Sequence, residues 1–225
     1  MTTSTRTYRE ACGIPRALDR VGERWALMVV RELVLGPKRF TDLRTGLPHA
    51  SPNVLSQRLR ELEATGVVRR RKLPPPAGSW VYELTEWGSE LESVLLALGR
   101  WGARAPLGPP QDGMSDDSHV LSLATLFDPA LAEGLAATLA LHLSDDRFRA
   151  EVTDGRLTLV RGEAPSPDAT IITDHATLLA LSHRRRELGE ALRSGDVEID
   201  GNQETVERFL GLFTLPEPAP PPVPA

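Results

Sequence analysis

A stretch rich in proline, glycine and aspartate, residues 105–117, divides this chain of 225 residues into two halves. The stretch has no apolar period, which is typical of a linker. Residues 1–110 carry 17 Lys and Arg against 11 Asp and Glu, a net charge of +6, whereas residues 111–225 carry 9 against 20, a net charge of −11. A basic half joined to an acidic half predicts two domains with different partners, and a polyanion for the first.

The sequence excludes several classes of protein. No apolar run approaches the roughly 18 residues that a membrane-spanning helix needs, and no apolar stretch follows the first charge, so the start is not a secretory signal. The single cysteine, Cys12, cannot form a disulfide within the chain or provide a cysteine-based zinc site. We therefore expect a cytoplasmic protein that makes no membrane contact.

The first half has the pattern of a helical domain with one hairpin. The segment beginning Ser51-Pro52 has an N-cap residue and a proline at the first helical position, and its leucines 55, 59 and 62 form one stripe at helical spacing. We predict helices at 15–21, 24–35, 41–46, 51–66 and 85–102, and strands at 67–73 and 80–84. This order is that of a winged helix-turn-helix, an α-rich domain whose β-hairpin is the wing.

The helix from Ser51 has a polar face opposite its leucines. Short polar, amide and guanidinium groups of this kind read base edges and bind phosphates. Its N-terminus has exposed N–H groups and the positive end of the helix dipole, which favour phosphate. The face predicted to read bases comprises Asn53, Ser56, Gln57 and Arg60, with Arg58 at one flank suited to a phosphate.

Four consecutive cations, Arg69, Arg70, Arg71 and Lys72, lie on the first strand of the predicted hairpin. Such a run can follow a duplex backbone, and binding would then weaken steeply with salt. A polar face or a charge run alone is more often a solvated surface. Together, in this order and on the basic half, they favour binding to double-stranded DNA.

Residues 8–102 resemble the HxlR family of bacterial winged-helix regulators, relatives of the MarR group. The matching stretches are RALDRVGERW at 16–25, RELVLGPKRFTDL at 31–43, SPNVLSQRLRELEATGVV at 51–68 and YELTEWG at 82–88. The resemblance implies a homodimer that binds an inverted repeat, with the Ser51 helix in the major groove and the hairpin as wing. It also implies a dimer interface formed by the N-terminal residues and the last helix. The apolar side of that helix, with Leu91, Leu95, Leu98 and Trp101, suits either this interface or packing on its own domain.

One departure from the family concerns Cys12. Members usually have this cysteine directly before a proline, whereas here the run is Cys12-Gly13-Ile14-Pro15. Some relatives use the cysteine to sense electrophiles or oxidants, and nearby arginines and a helix start favour a reactive thiolate. Cys12 is therefore a candidate redox sensor, and the alternative is a small buried residue at the dimer seam.

The second half has an α+β pattern, with helices covering one face of a mostly antiparallel sheet. Asp154-Gly155, flanked by predicted strands at 147–153 and 156–161, is a strong hairpin signal. The order resembles the sterol-carrier-protein-like domain, through DGRLTLVRG at 154–162, PDATIITD at 167–174, LGEALRSGDVEIDG at 188–201 and RFLGLF at 208–213. The resemblance implies a tunnel for a small apolar ligand. The alternative is a cavity filled by its own side chains, because a pocket lined by Leu, Val and Phe looks identical to a core in sequence.

The sequence gives little support for catalysis. The five histidines show no metal spacing, and no nucleophile-elbow or phosphate-loop pattern occurs. Asp116-Asp117 and Asp145-Asp146 are read as turn or linker residues, and Asp174-His175 as a strand end followed by a helix start. We expect no catalytic residues, metal or cofactor.

The sequence thus predicts four segments: a winged-helix DNA-binding domain at 8–104, a linker at 105–117, a sterol-carrier-like α+β domain at 118–215 and a proline-rich tail at 216–225. The expected function is a homodimeric bacterial transcriptional regulator, modulated by a small apolar ligand in the second domain. The alternative is a lipid- or acyl-binding carrier whose first half is an interaction module.

Overall fold

The first half of the chain folds around the buried stripe predicted for the Ser51 helix. The computed structural model describes residues 7–106 and 114–220, and it divides into one unit ending at Leu95 and a second beginning at Leu96. Up to the boundary region the elements are α1 (Gly13–Val21), α2 (Ala26–Val34), α3 (Phe40–Gly46), α4 (Pro52–Ala64), β1 (Val68–Lys72), β2 (Trp80–Leu84), α5 (Glu86–Ser89) and α6 (Leu91–Gly102).

Helix α4 begins where the sequence predicts and is the main packing element of this unit. The Ser51 hydroxyl accepts a hydrogen bond from the Val54 N–H at 3.4 Å, so Ser51 is the N-cap. Leu55, Leu59 and Leu62 are each no more than 1% exposed. They join one core with residues of α2 and α3, which include Val29, Val30, Leu33 and Leu43.

A charged side chain is completely buried beside this core. Glu32 of α2 is 0% exposed, and its two carboxylate oxygens accept hydrogen bonds from Arg31 and Lys38, each at 2.7 Å. The carboxylate also fills the space above Gly46, where an added Cβ would lie 2.3 Å from Oε2 of Glu32. Glu32 therefore connects α2 to the segment before α3 and to the end of α3.

The final helix of the first half is broken, whereas the sequence predicts one helix from Thr85 to residue 102. The Thr85 hydroxyl accepts from the Gly88 N–H at 2.9 Å and caps the short α5. The Ser89 hydroxyl then donates to the Glu86 carbonyl at 2.6 Å, a local bond that competes with continuation of the helix. Helix α6 starts two residues later, at Leu91.

The second unit contains a five-stranded sheet. After α6 its elements are α7 (Asp116–Leu126), a single 3-10 turn (Pro129–Ala132), β3 (Ala137–Leu143), β4 (Asp146–Thr153), β5 (Arg156–Arg161), β6 (Ala169–Thr173), α8 (His175–Ser182), α9 (Leu188–Ser194), β7 (Glu198–Gly201) and α10 (Gln203–Leu210). The strand order is β5-β4-β3-β6-β7, and only the β3–β6 pair is parallel. The predicted α+β class with a mostly antiparallel sheet is confirmed.

One face of this sheet is the core of the second unit. Along β4, Phe148, Ala150 and Val152 are fully buried and alternate with partly exposed residues. Leu139 and Leu141 of β3 lie opposite Ala150 and Phe148 and are also 0% exposed. The alternation shows that the strands bury one face, as expected for an antiparallel sheet.

The start of α7 corrects the prediction for Asp116-Asp117. The sequence places the pair in the linker, but α7 begins at Asp116 because Ser115 caps it, accepting from the Ser118 N–H at 3.3 Å. Acidic residues are favourable in the first turn of a helix. The other linker residues from 107 to 113 lie outside the described part of the chain.

The proline-rich tail is described only to residue 220. Two hydrogen bonds connect this tail to Arg104. The Arg104 Nε donates to the Glu217 carbonyl at 3.0 Å, and the Ala219 N–H donates to the Arg104 carbonyl at 2.7 Å. None of the helices in the described residues combines the length and hydropathy that a membrane span requires.

Candidate nucleic-acid interface

Helix α4 presents to solvent most of the polar face that its sequence predicts. Asn53, Gln57 and Arg60 are exposed and Ser56 is partly exposed, on the side opposite the buried leucines. Positions 53, 57 and 60 follow each other at helical spacing, so the three side chains project from one face. An amide, a second amide and a guanidinium on one exposed face are suited to base edges in a major groove.

Gln57 is held by a neighbour on the same helix. Its Nε2 donates a hydrogen bond to Oε1 of Glu61 at 2.9 Å. A glutamine amide has two N–H groups and a carbonyl oxygen. One donor is therefore used within the helix, and the remaining N–H and the oxygen can form a bidentate pair with a base.

Arg58 differs from the expectation for a phosphate contact. Its side chain is buried, with 9% of the residue exposed, and it forms ion pairs with Glu61 and, at 3.8 Å, with Glu23. Burial follows from its position next to Leu59 on the inward side of α4. The two ion pairs hold Arg58 in place on α4, and its contact with a phosphate stays a prediction.

The basic run on β1 is divided between the two faces of the hairpin. Arg69 and Arg71 lie on one face, where their Nε atoms each donate to a different oxygen of Glu83 on β2, both at 2.6 Å. Burial alone would raise the pKa of Glu83, but the hydrogen bonds from Arg71 and Arg69 outweigh it and the pKa lies below its ordinary value. Glu83 is therefore ionised at neutral pH and cancels one of the two charges.

Arg70 and Lys72 lie on the other face of the hairpin, and both are exposed. The Arg70 guanidinium lies over the Trp80 ring at 4.6 Å from its centroid, and near the Tyr82 ring at 5.8 Å. The four consecutive cations look equivalent in the sequence. The sequence therefore does not reveal that Glu83 pairs with Arg69 and Arg71, or that Arg70 lies over the Trp80 ring. The alternation of strand residues separates the two faces once the β1–β2 register is known.

Helix α6 has no buried residue, although it is apolar. Leu91 and Leu95 are partly buried and pack against the core of the first unit. These two residues therefore serve packing on their own domain, which is one of the two roles that the sequence allows for the apolar side of this helix. Val94, Leu98 and Trp101 are 50%, 46% and 72% exposed and lie at positions i, i+4 and i+7 of one face.

Cys12 is also exposed, at the N-cap position of α1.

The second unit brings together acidic and histidine side chains that the sequence did not group. His175 begins α8 and Asp174 caps it, as expected. His175 is 8% exposed and lies 3.4 Å from Asp116 and 3.8 Å from Asp146. The prediction that Asp116 and Asp146 are turn or linker residues is therefore wrong, because Asp116 begins α7 and Asp146 begins β4.

The profile of the family described as HxlR-like helix-turn-helix matches residues 20–106. The uncharacterized HTH-type transcriptional regulator YvaP of Bacillus subtilis is 37% identical over 86 residues, which span 38% of this chain and 80% of YvaP. The HTH-type transcriptional regulator YodB of the same organism is 35% identical over 85 residues, 38% of this chain and 76% of YodB. Each of these alignments spans less than half of this chain.

Residues 112–220 match a different family, described as alkyl sulfatase C-terminal. A structure of a double mutant of the sec-alkyl sulfatase PisA1 is 28% identical, with a TM-score of 0.39, and the match covers 51% of this chain. The match spans only about a sixth of that enzyme, 17% of its length. The second half thus matches the alkyl sulfatase C-terminal family model, and the resemblance to the sterol-carrier-protein-like domain is not confirmed.

Proposed function

This chain belongs to the HxlR-like helix-turn-helix family, and we propose that it is a DNA-binding transcriptional regulator in which α4 reads the operator. The observation that carries this proposal is the exposed face of α4, which offers Asn53, Gln57 and Arg60 on the side opposite its buried leucines. A helix of this kind enters the major groove. In this arrangement Ser51 and the Asn53 N–H lie where a phosphate binds, since Pro52 has no N–H and the Val54 N–H donates to Ser51. Ser56 adds a hydroxyl beside the reading face.

The wing supplies contacts that do not depend on base sequence. Arg70 and Lys72 share one face of the hairpin and have no carboxylate opposite them there, because Trp80 and Tyr82 occupy the facing positions of β2. Two such charges favour the phosphate backbone. Arg69 and Arg71 contribute less, since Glu83 neutralises one of them.

Replacing Arg70 and Lys72 together with glutamine is expected to weaken binding to operator and unrelated duplexes by a similar factor. Removing one phosphate contact reduces the slope of log K against log salt by about 1. Fluorescence anisotropy over a series of salt concentrations measures both effects. A weakening confined to the operator would show that these side chains read bases instead.

The matched variant Glu83→Gln should have the opposite effect. The substitution removes one negative charge and keeps the shape of the side chain. The net charge of the hairpin face that carries Arg69 and Arg71 therefore rises by one unit. We expect tighter binding at low salt and a slope steeper by up to about 1. An unchanged slope would mean that this face of the hairpin lies away from the DNA.

We further propose that the protein is a homodimer and that the exposed face of α6 lies in its interface. Val94, Leu98 and Trp101 form an apolar stripe on a helix with no buried residue, and two copies of such a stripe can bury each other. A two-fold dimer binds an inverted repeat with matching symmetry.

Replacing Trp101 with serine is expected to shift the protein from dimer to monomer, because the ring is the largest apolar group on the stripe. Multi-angle light scattering after size-exclusion chromatography gives the mass directly. Leu131→Ser is the control, since Leu131 is also apolar and 46% exposed but lies on the 3-10 turn of the second unit. A Trp101 variant that keeps the mass of a dimer would exclude this interface.

For the second unit we propose binding of a small apolar ligand that biases the DNA-binding state of the dimer. Its support is the match of residues 112–220 to the alkyl sulfatase C-terminal family. The buried face of the sheet, lined by leucine, phenylalanine and isoleucine, is compatible with an apolar ligand and equally with a filled core. To act as a switch, the ligand must differ in affinity between the two states. Native mass spectrometry of the purified chain tests this proposal. An apolar molecule bound in stoichiometric amount supports the proposal. If protein that has been refolded with candidate amphiphiles holds no such molecule, the proposal is contradicted.

We also propose that Cys12 is a redox-sensitive residue. Its thiol is exposed at the start of α1, and solvent access is one of the conditions that thiol reactivity requires. Loss of operator binding on treatment with a quinone, absent in Cys12→Ser, is the expected result.

A further inference from the structure

The five-stranded sheet of the second unit has an outer face, on the side away from its core. Helix α7 lies on the core side, because its Asp117 pairs with Arg161, whose guanidinium lies over the ring of the buried Phe148. We propose that the outer face binds the same face of a second copy of this chain, so that the second units of the homodimer contact each other. This contact adds to the one through α6, and it rests on the homodimer proposed above.

One row of side chains crosses the outer face from edge to edge. The register aligns Val160 of β5, Arg149 of β4, Ala140 of β3, Thr170 of β6 and Asp200 of β7. On the three central strands these residues alternate with core residues. Since successive side chains of a strand point to opposite faces, the row points away from the core.

The middle of the outer face is made of short side chains. Ala140 has Thr138 two residues before it and Thr170 beside it on the next strand. Apolar side chains flank this flat middle, since Val160 and Ile172 are 40% and 38% exposed. A second sheet can pack on such a face at the usual spacing of about 10 Å and bury these groups.

The charges on the outer face are divided between its two edges. Strands β4 and β5 place three arginines and one glutamate there, a net charge of 3 − 1 = +2, whereas β7 places two carboxylates there, a net charge of −2. These residues are Arg147, Arg149, Arg156, Glu151, Glu198 and Asp200. Glu163 lies 3.9 Å from Arg147 and offsets that charge in part. Within the part of the chain that the structure describes, the side chains of Arg149, Glu198 and Asp200 form no ion pair.

A two-fold axis that runs along β3 makes this face complementary to itself. About such an axis β4 and β5 of one copy lie over β6 and β7 of the other, so that unlike charges meet. An axis at right angles to the strands would instead place each strand over its own copy and bring like charges together. With strands about 4.8 Å apart and sheets about 10 Å apart, the Cα atoms of Arg149 and the partner subunit's Asp200 are roughly 11 Å apart. An arginine and an aspartate are long enough to form an ion pair over that span.

The size of the face explains why it acts within a dimer that α6 already forms. Five strands about 4.8 Å apart, with about five residues each at 3.3 Å per residue, cover roughly 400 Å² per copy. A standard interface buries about 800 Å² on each partner. A contact of this size is weak between free chains, but tethering through α6 gives the two second units an effective concentration near the millimolar range.

Cross-linking of the full-length chain tests the contact. Thr138→Cys, in a Cys12→Ser background that removes the only other thiol, places a cysteine on β3 next to the axis. Thr158→Cys is the matched control, because Thr158 lies in the same row of the outer face but on β5. The two copies of residue 158 would be more than about 20 Å apart, so a short bismaleimide should give at least about fivefold more cross-linked dimer with Thr138→Cys. If Thr138→Cys does not fold, Thr170→Cys on β6 takes its place.

A charge exchange tests the orientation. In the Thr138→Cys chain, Arg149→Glu and Asp200→Lys should each lower the yield of cross-linked dimer by at least about threefold, and the two together should restore it. Light scattering should show a dimer in every case, because α6 is unchanged. A dimer in which residue 138 cross-links no more than residue 158, or in which the exchange restores nothing, would overturn this proposal alone. A monomeric wild-type chain would overturn it together with the homodimer.

Discussion

Replacing Gln57 and Arg60 together with alanine is expected to lower operator affinity by at least about a hundredfold while leaving weak binding to unrelated DNA in place. A bidentate contact from an amide or a guanidinium contributes roughly 1–3 kcal/mol of discrimination between bases, and removing both side chains at once therefore corresponds to about two orders of magnitude or more in affinity. Both side chains are exposed, so the fold should be unaffected. Competition anisotropy with operator and scrambled duplexes measures the effect.

The matched control for this variant is on α10. Gln203 donates to Glu207 at 2.9 Å in the same i to i+4 arrangement as Gln57 and Glu61, and Arg208 is an exposed arginine on the same helix. The double replacement of Gln203 and Arg208 with alanine should leave operator binding unchanged. Operator preference that survives the replacement of Gln57 and Arg60 would show that α4 is not the reading helix.

Replacing Glu32 with alanine is expected to destabilise the first unit by about 3 kcal/mol, because it leaves Arg31 and Lys38 without their buried partner. Their side chains are 23% and 14% exposed, so water can compensate in part. The change also empties the space above Gly46 at the end of α3. Urea denaturation followed by tryptophan fluorescence reports this unit well, since three of the four tryptophans precede residue 96.

Glu90→Ala is the control for the Glu32 variant. Glu90 is exposed at the end of α5, and surface substitutions of this kind are usually worth less than about 0.5 kcal/mol. A Glu32 variant as stable as the Glu90 variant would mean that the buried carboxylate is not a structural link between α2 and α3.

The elements of the first half are predictable because their signals are local. Ser51, Pro52 and a leucine stripe specify the start and the buried side of α4, and both agree with the structure. The break between α5 and α6 is not predictable, since it coincides with a side-chain bond of Ser89 that an apolar period does not report. Helix position is thus specified by caps and periodicity, whereas continuity depends on single hydroxyl groups.

Contacts between distant residues account for what the sequence could not specify. Arg58 is polar and next to a predicted reading face, and only the fold shows that Glu61 and Glu23 hold it inward. Asp116, Asp146 and His175 are 30 and 29 residues apart along the chain, so no spacing rule groups them. In the second half the α+β class follows from strand and turn signals, but a buried leucine face has the same sequence whether it encloses a ligand or a solid core.

Fluorescence anisotropy measures whether this chain recognises specific DNA through its first unit. The full-length protein is titrated against the DNA upstream of its own gene and against a scrambled duplex, at two salt concentrations. We expect tighter binding to the upstream DNA by at least about tenfold and a fall in affinity with salt for both duplexes. Equal, weak binding to both at either salt concentration, repeated with the upstream regions of neighbouring genes, would contradict this expectation.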